Sequence, residues 1–291
     1  VQMLISAKAT PRQNETGLSP LASAAFAMQL RMLDLLLEAG ASVNEQACGD
    51  PQFIAGLPAG FVDGVRQMQG ETLLLTALNS EHCRMSAEGQ DDPDGSLDPG
   101  KDVRSASVGC GEFIRGLVER GASPNVPSPT HGMPLIKASF MGRTDLIRVL
   151  LEAEADPNLK DARYCQPGIA PLSQAVSMAQ VDIARLLLEH GAKVDERSAV
   201  LLMDTSLNGM SMGRPMLPLM LAASNANVAM CRTLLEARAN PDGYDEDGQT
   251  TLQMVSSTDG SVRIAEAYEI AAELLTHGAS VNYADAPAEP S

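Results

Sequence analysis

Ala170-Pro171-Leu172-Ser173-Gln174-Ala175-Val176-Ser177-Met178-Ala179-Gln180-Val181-Asp182-Ile183-Ala184-Arg185-Leu186-Leu187-Leu188-Glu189-His190-Gly191-Ala192-Lys193-Val194-Asp195 is one copy of a phrase that the chain writes six times. The phrase opens on a turn with Pro-Leu, runs through two helix-length stretches and closes on Gly-Ala-x-Val-Asp. Further openings are Ser19-Pro20-Leu21, Met133-Pro134-Leu135 and Leu217-Pro218-Leu219, while Thr72-Leu73-Leu74 and Thr250-Thr251-Leu252 lack the proline. Further closings are Gly40-Ala41-Ser42-Val43-Asn44, Gly121-Ala122-Ser123-Pro124-Asn125, Glu154-Ala155-Asp156-Pro157-Asn158, Arg238-Ala239-Asn240-Pro241-Asp242 and Gly278-Ala279-Ser280-Val281-Asn282. From opening proline to closing alanine the distance is 21 residues in four copies: 20 to 41, 134 to 155, 171 to 192 and 218 to 239. Ala122 to Ala155 and Pro218 to Thr251 are each 33 residues.

Each part of the phrase has a physical reason. Proline in the first helical turn gives up an N–H that has no partner there anyway, and a preceding hydroxyl, as in Ser19-Pro20, caps the orphan donors. Helix one is then short and small-sided, as in Leu219-Met220-Leu221-Ala222-Ala223. Helix two carries the apolar stripe at spacings of three and four: Leu146, Ile147, Val149, Leu150 and Leu151 in one copy, Ile183, Ala184, Leu186, Leu187 and Leu188 in another. Gly40, Gly121, Gly191 and Gly278 end it, because glycine takes the left-handed C-terminal cap without a Cβ penalty. Glu154 and Arg238 stand in that place in two copies and should cost about 1 kcal/mol each, which makes those junctions the softer ones.

These motifs resemble the ankyrin repeat, a 33-residue unit of β-turn and two helices. The resemblance covers nearly the whole chain. It implies an all-α, ankyrin-type helical repeat solenoid with short β-hairpin fingers, one continuous array in which each unit packs only on its neighbours. The expected organisation is a partial N-terminal repeat or cap over 1–18 and an array over 19–291, with units at about 17–44, 70–125, 131–158, 168–195, 215–242 and 248–282. Insertions fall at about 45–69, 79–109, 196–214 and 256–264. The first and third lie on the hairpin side, and the second separates the two helices of one unit. Phe53, Ile54, Leu57, Phe61 and Val62 make the first apolar enough to dock, whereas Asp91, Asp92, Asp94, Asp98 and Asp102 make the second a solvated loop.

Composition excludes several function classes. Apolar residues make up 44% of the 291, aromatics only 3%, and tryptophan is absent, as suits thin helix pairs stacked closely. A formal charge of −16 repels phosphate backbones and acidic lipid headgroups, so nucleic acid is not an expected partner. No apolar run approaches the ~20 residues that span a bilayer, so direct membrane insertion is not expected either. Cys48, Cys83, Cys110, Cys165 and Cys231 are odd in number, widely separated and without a CxxC, which favours free thiols and an intracellular, reducing compartment. The cytoplasm is the default, and an organelle is compatible too.

Chemical motifs dissolve on inspection. Gly95 to Lys101 matches a phosphate-loop spacing, but Asp102 follows the lysine, no strand precedes it and the aspartates around it repel a nucleotide. Neither that loop nor Asp242 to Gly248 supplies oxygen ligands at calcium-loop positions, and Asp245-x-x-Gly248 reads as a hairpin turn. His190 and His277 sit where a positive partial charge suits a helix C-terminus, and His82-Cys83 lacks two further zinc ligands. We therefore expect no catalytic residues, no metal and no cofactor.

What the resemblance implies about function is protein binding, through the face formed by helix one and the fingers. Counting from each Pro-Leu puts Phe26 with Ala27, Asn79 with Ser80, Phe140 with Met141, Ser177 with Met178, Ser224 with Asn225, and Ser257 at the family's variable contact positions. Tyr164 and Tyr244 fall in fingers, and Phe53 and Phe61 in the first insertion. The expected partner-binding set is thus Phe26, Phe140, Met141, Met178, Tyr164, Tyr244, Phe53 and Phe61, since aromatics this scarce concentrate at contact positions. A non-enzymatic scaffold or adaptor, standing alone or as a fixed subunit of a complex, is the leading expectation. The alternative is the regulatory or targeting region of a longer enzyme or channel.

Both ends read as truncated repeats. Val1 to Pro11 is a worn closing phrase without its own helix one, and Asn282 to Asp285 starts another hairpin, so a longer native polypeptide is expected.

Overall fold

A computed structural model of the protein describes residues 19–44, 72–80, 109–128, 132–163, 167–204, 209–212, 214–257 and 264–281. Phe53, Phe61, Tyr164, His82-Cys83, the lysine loop at Gly95 to Lys101 and both chain ends lie outside them. The chain divides into two compact units, Val1–Ala155 and Asp156–Ser291.

Unit 1 contains α1 (Pro20–Phe26), α2 (Leu30–Glu38), α3 (Leu73–Leu78), α4 (Cys110–Glu119), α5 (Pro134–Met141) and α6 (Thr144–Glu152). Prolines stand at the starts of α1 and α5, and the Ser19 hydroxyl accepts the Ala22 N–H at 3.0 Å. Thr72 does the same for Leu75 at 3.4 Å, so α3 is capped although it lacks proline. Helices α1, α3 and α5 are successive neighbours, while α2, α4 and α6 pack on their partners. The helix-two stripe forms the core: Phe113, Ile114, Leu117, Leu146, Ile147 and Leu150 are fully buried. Asp34 on α2 receives a two-pronged contact from Arg120 just past α4, Nε at 2.6 Å and Nη2 at 3.0 Å, although 86 residues separate them.

Unit 2 contains α7 (Pro171–Ser177), α8 (Val181–Glu189), β1 (Leu201–Asp204), β2 (Gly209–Met212), α9 (Pro218–Ser224), α10 (Val228–Glu236), α11 (Thr251–Ser256) and α12 (Ile264–Thr276). Here α7, α9 and α11 follow one another, as do α8, α10 and α12. Leu172, Leu187, Leu219 and Leu234 fill the core at 2% exposure or less. Thr250 and Gln253 form a reciprocal capping box at the start of α11. Strands β1 and β2 pair antiparallel, with Leu201 opposite Met212 and Asp204 opposite Gly209. Ser198 and Met216 make a further bridge, so the 196–214 insertion prolongs a finger rather than interrupting the array.

Left-handed backbone recurs at two register positions. The closing position has φ 92° at Gly40, 88° at Gly121 and Gly191, 90° at Gly278, and also 61° at Glu154 and 66° at Arg238. The second lies eight residues after each opening proline and joins helix one to helix two: Met28 (53°), Gly142 (70°), Ala179 (56°) and Ala226 (52°). Composition hid this one, since only one of the four is glycine.

The free-thiol expectation holds at Cys231 and fails at Cys110. Cys231 is free and buried, whereas Cys110 is disulfide-bonded. Separation along the chain had argued for free thiols, but pairing depends on the distance between Cα atoms after folding. The argument from cysteines to a reducing compartment falls with it.

Candidate functional site

Each short helix one ends in a turn. In unit 1 these ends carry Phe26 on α1, Asn79 after α3, and Phe140 and Met141 on α5. Phe26 is 37% exposed, and Phe140 and Met141 are half-buried, while Leu150 in helix two of the same unit is fully covered. Ser80, expected at a contact position, is instead fully buried, and its hydroxyl donates to the Met28 sulfur at 3.7 Å. It serves the packing of the turn after α3 against the turn after α1.

In unit 2 the equivalent ends carry Ser177 as the last residue of α7 with Met178 after it, Ser224 as the last residue of α9 with Asn225 after it, and Ser257 after α11. Met178 is 36% exposed, and Ser224, Asn225 and Ser257 are exposed as well. Ser177 leaves a buried Oγ without a hydrogen-bond partner. The two rows differ in chemistry: aromatic and apolar in unit 1, hydroxyl and amide around a single methionine in unit 2.

Fingers in unit 2 are tied to one another. Tyr244 bridges Thr250 across its finger, its ring faces the Arg197 guanidinium at 5.5 Å, and its carbonyl accepts a hydrogen bond from Arg197 Nη2. The Lys160 ammonium reaches Glu196 at 2.8 Å and the Arg197 carbonyl at 3.0 Å. Tyr244 is therefore half-buried and held by a cation–π contact. Asp245 Oδ1 accepts the backbone N–H of Asp247 at 3.0 Å and of Gln249 at 2.8 Å, so its carboxylate shapes the turn. His190 and His277 each place Nδ1 at 2.9 Å from a carbonyl one turn back, those of Leu186 and Glu273. Among the described residues, no group of three or more His, Cys, Asp or Glu could hold a metal ion, and no helix is long and apolar enough to cross a membrane.

Every closing ends in Asn or Asp. Asn158 Nδ2 donates to the Gly191 carbonyl at 3.0 Å, and its Oδ1 accepts the Lys193 N–H at 2.8 Å. Asn44 makes the same pair of bonds to Gly121 and Ser123, both at 3.0 Å. Asp195 accepts the Asn240 N–H at 2.9 Å, and Asp242 accepts the Ser280 N–H at 2.7 Å. Asn44, Asn158, Asp195 and Asp242 thus each bond to the closing turn that follows them within their unit. The recurrence of Asn or Asp at one register position was the signal.

A family model of ankyrin repeats in three copies matches residues 103–198, and a single ankyrin repeat model matches 216–246. The chain carries ankyrin repeats over these residues. A putative ankyrin repeat-containing protein of Treponema pallidum (strain Nichols) is 30% identical over 154 residues, 51% of this chain and 44% of that protein. Human cyclin-dependent kinase inhibitor 2A is 31% identical over 106 residues, 36% of this chain and 65% of that protein. The chain thus spans less than two thirds of either relative. Among solved structures, an ankyrin repeat domain from Acinetobacter baumannii AYE is similar with a TM-score of 0.58 at 20% identity, covering 90% of this chain and 98% of that one. The ankyrin repeat domain of Bcl-3, of the IkappaB protein family, has a TM-score of 0.56 at 19% identity, with 90% and 87% covered. Those two likenesses establish the ankyrin helical repeat solenoid as the fold, and ankyrin repeats are in general protein–protein interaction modules.

Proposed function

We propose that this chain is a non-enzymatic scaffold or adaptor that holds a partner protein on its helix-one and finger surfaces. The observation that carries the reading is the exposure of Phe26 and Met178, where helix-two residues such as Leu33, Leu150 and Leu187 are fully covered. An exposed aromatic in so aromatic-poor a protein is the kind of side chain that dominates binding energy. Phe140 and Met141 extend the apolar surface of unit 1, and Tyr244, fixed by Arg197, offers a rigid anchor in unit 2. Tyr164, Phe53 and Phe61 complete the proposed contact set by sequence position. The human relative, by its name an inhibitor of a cyclin-dependent kinase, acts on another protein, in keeping with this reading. Serving as the regulatory or targeting region of a longer enzyme or channel is the second reading, favoured by the chain's spanning only 44% of the Treponema relative.

Affinity capture from the native source, run in parallel with the Phe26→Ala and Phe140→Ala chains and read by mass spectrometry, tests the proposal. A partner retained by the parent and lost by variants of unchanged helicity supports it. A partner held equally by all three removes the helix-one surface from the binding site.

A further inference from the structure

Methionine is concentrated around one finger. Of the chain's 15 methionines, Met203, Met210, Met212, Met216 and Met220 fall close together in and just after the 196–214 insertion. Strands favour Val, Ile and Thr, whose branched side chains suit the pleat, yet β1 and β2 give three of their eight positions to methionine. The register brings those three together. Met203 pairs with Met210 across the hairpin, and Met212, two residues further along β2, returns to the same face. Leu201, opposite Met212, completes that face. Leu202, Asp204, Gly209 and Ser211 share the other, so the one charged residue of the two strands lies apart from the methionines.

Directly opposed residues of an antiparallel pair have Cβ atoms about 4.5–5.5 Å apart, and residues two apart on one strand are separated by about 6.5–7 Å. Methionine is unbranched with three rotatable bonds, so three thioethers rooted at that spacing have the reach to meet at one point. Chemistry then selects the ligand. A thioether is soft and uncharged, which suits Cu(I), whereas magnesium, calcium and manganese take carboxylate, carbonyl or water oxygen. Zinc takes thiolate, imidazole or carboxylate, and this face of the hairpin has no Cys, His, Asp or Glu. We propose that Met203, Met210 and Met212 form a thioether site for Cu(I) on the inserted finger, independent of the helix-one contacts.

The probe is Cu(I) itself, added under argon as its acetonitrile complex to the full chain, which carries carbon-13 at its methionine methyls. Accessible thiols are first capped with N-ethylmaleimide, because thiolate competes with thioether for this ion; Cys231 is buried and Cys110 already disulfide-bonded. Three of the 15 methyl signals should shift together and saturate at one equivalent, and they should be the three removed by Met203→Leu, Met210→Leu and Met212→Leu. Each of these volume-conserving changes should keep the fold, checked by circular dichroism, and weaken binding at least about tenfold, a loss seen even for groups that only orient a ligand. Met178→Leu, which removes an exposed methionine elsewhere in unit 2, should leave the affinity unchanged. Thioethers do not titrate, so the affinity should stay level from about pH 5 to 8, where a histidine or thiolate site weakens with acid. Signals that stay put, shifts spread over methionines outside the hairpin, or binding unaffected by the three leucine variants overturn the proposal and leave these methionines as adaptable filling where β1 lies beside α7. Zinc shifting the same signals equally overturns it too, since neutral thioethers alone do not hold that ion.

Discussion

Asn158 grips Gly191 across a repeat boundary, donating its amide to the glycine carbonyl at 3.0 Å while accepting the Lys193 N–H at 2.8 Å. The bond falls on a helix-end carbonyl that has no intrahelical partner, so the side chain satisfies an orphan acceptor of the closing turn. Replacing Asn158 by Ala removes both bonds and should destabilise unit 2 by about 1–2 kcal/mol. Asn158→Asp keeps only the acceptor, as Asp195 does towards Asn240, and should cost less than the alanine change. Urea melts of the three chains check the order.

Glu154 and Arg238 hold φ at 61° and 66°, where four other repeats place glycine. Each non-glycine residue there carries a steric cost of about 1–2 kcal/mol, part of which returns as the greater unfolded-state freedom of glycine. Glu154→Gly and Arg238→Gly should therefore raise stability by roughly 0.5–1 kcal/mol each, read as a higher urea midpoint with unchanged slope. A loss of stability would mean that the two side chains make contacts outweighing their strain.

The fold was legible because its determinants are periodic: a Pro-Leu start, a stripe such as Leu146, Ile147 and Leu150, and a glycine stop recur at constant offsets. Met28, Ala179 and Ala226 were not legible as left-handed residues, since alanine and methionine carry no compositional mark of that conformation and tertiary packing imposes it. Ser80 was misplaced because counting from Thr72 assumes a full-length helix one, whereas α3 stops at Leu78 and its turn folds inward. Of the candidate contacts, Phe26 and Met178 could be found by register alone. Sequence could not foresee how Arg197 immobilises Tyr244, because that contact joins residues 47 apart through two fingers.

Core and contact residues should separate cleanly under mutation. Leu187 is fully buried in α8, and Leu187→Ala should cost about 2–5 kcal/mol through lost burial and the cavity left behind. Phe26 is 37% exposed, so Phe26→Ala should move stability by under about 1 kcal/mol, its effect appearing in partner binding. Thermal melts of the two variants beside the parent give the comparison, and a Phe26→Ala chain as unstable as Leu187→Ala would return that residue to the core.

Burial pushes the Cys231 thiol up to about 12, with the backbone hydrogen bond lowering it only in part. At neutral pH it is a buried thiol with negligible thiolate, and alkylation requires local or global opening. Iodoacetamide labelling of Cys231, followed by peptide mass spectrometry, should be slow in buffer and rise with urea along the unfolding curve of unit 2. Fast labelling of the folded chain would contradict its packing between α10 and its neighbours.

Asp34 and Arg120 make one contact of unit 1 sensitive to acid. The side-chain hydrogen bond from Arg120 holds the Asp34 carboxyl below its ordinary value, burial opposing and the arginine's charge assisting, and Asp34 in turn raises Arg120. A depressed folded pKa means that the contact stabilises the fold above the unfolded aspartate value of about 3.9 and is lost as pH falls through the lower folded value. Arginine keeps its charge throughout, so protonation of Asp34 alone ends the pairing. The Asp34 side chain is 46% exposed, which places the contribution among modest, salt-screened pairs. In urea melts the parent should exceed Asp34→Asn at neutral pH, by a margin that narrows as pH falls below about 4 and shrinks in about 1 M salt. A margin independent of pH would show that Asp34 acts through packing or neutral hydrogen bonding, and that its ionisation contributes nothing to holding α2 against α4.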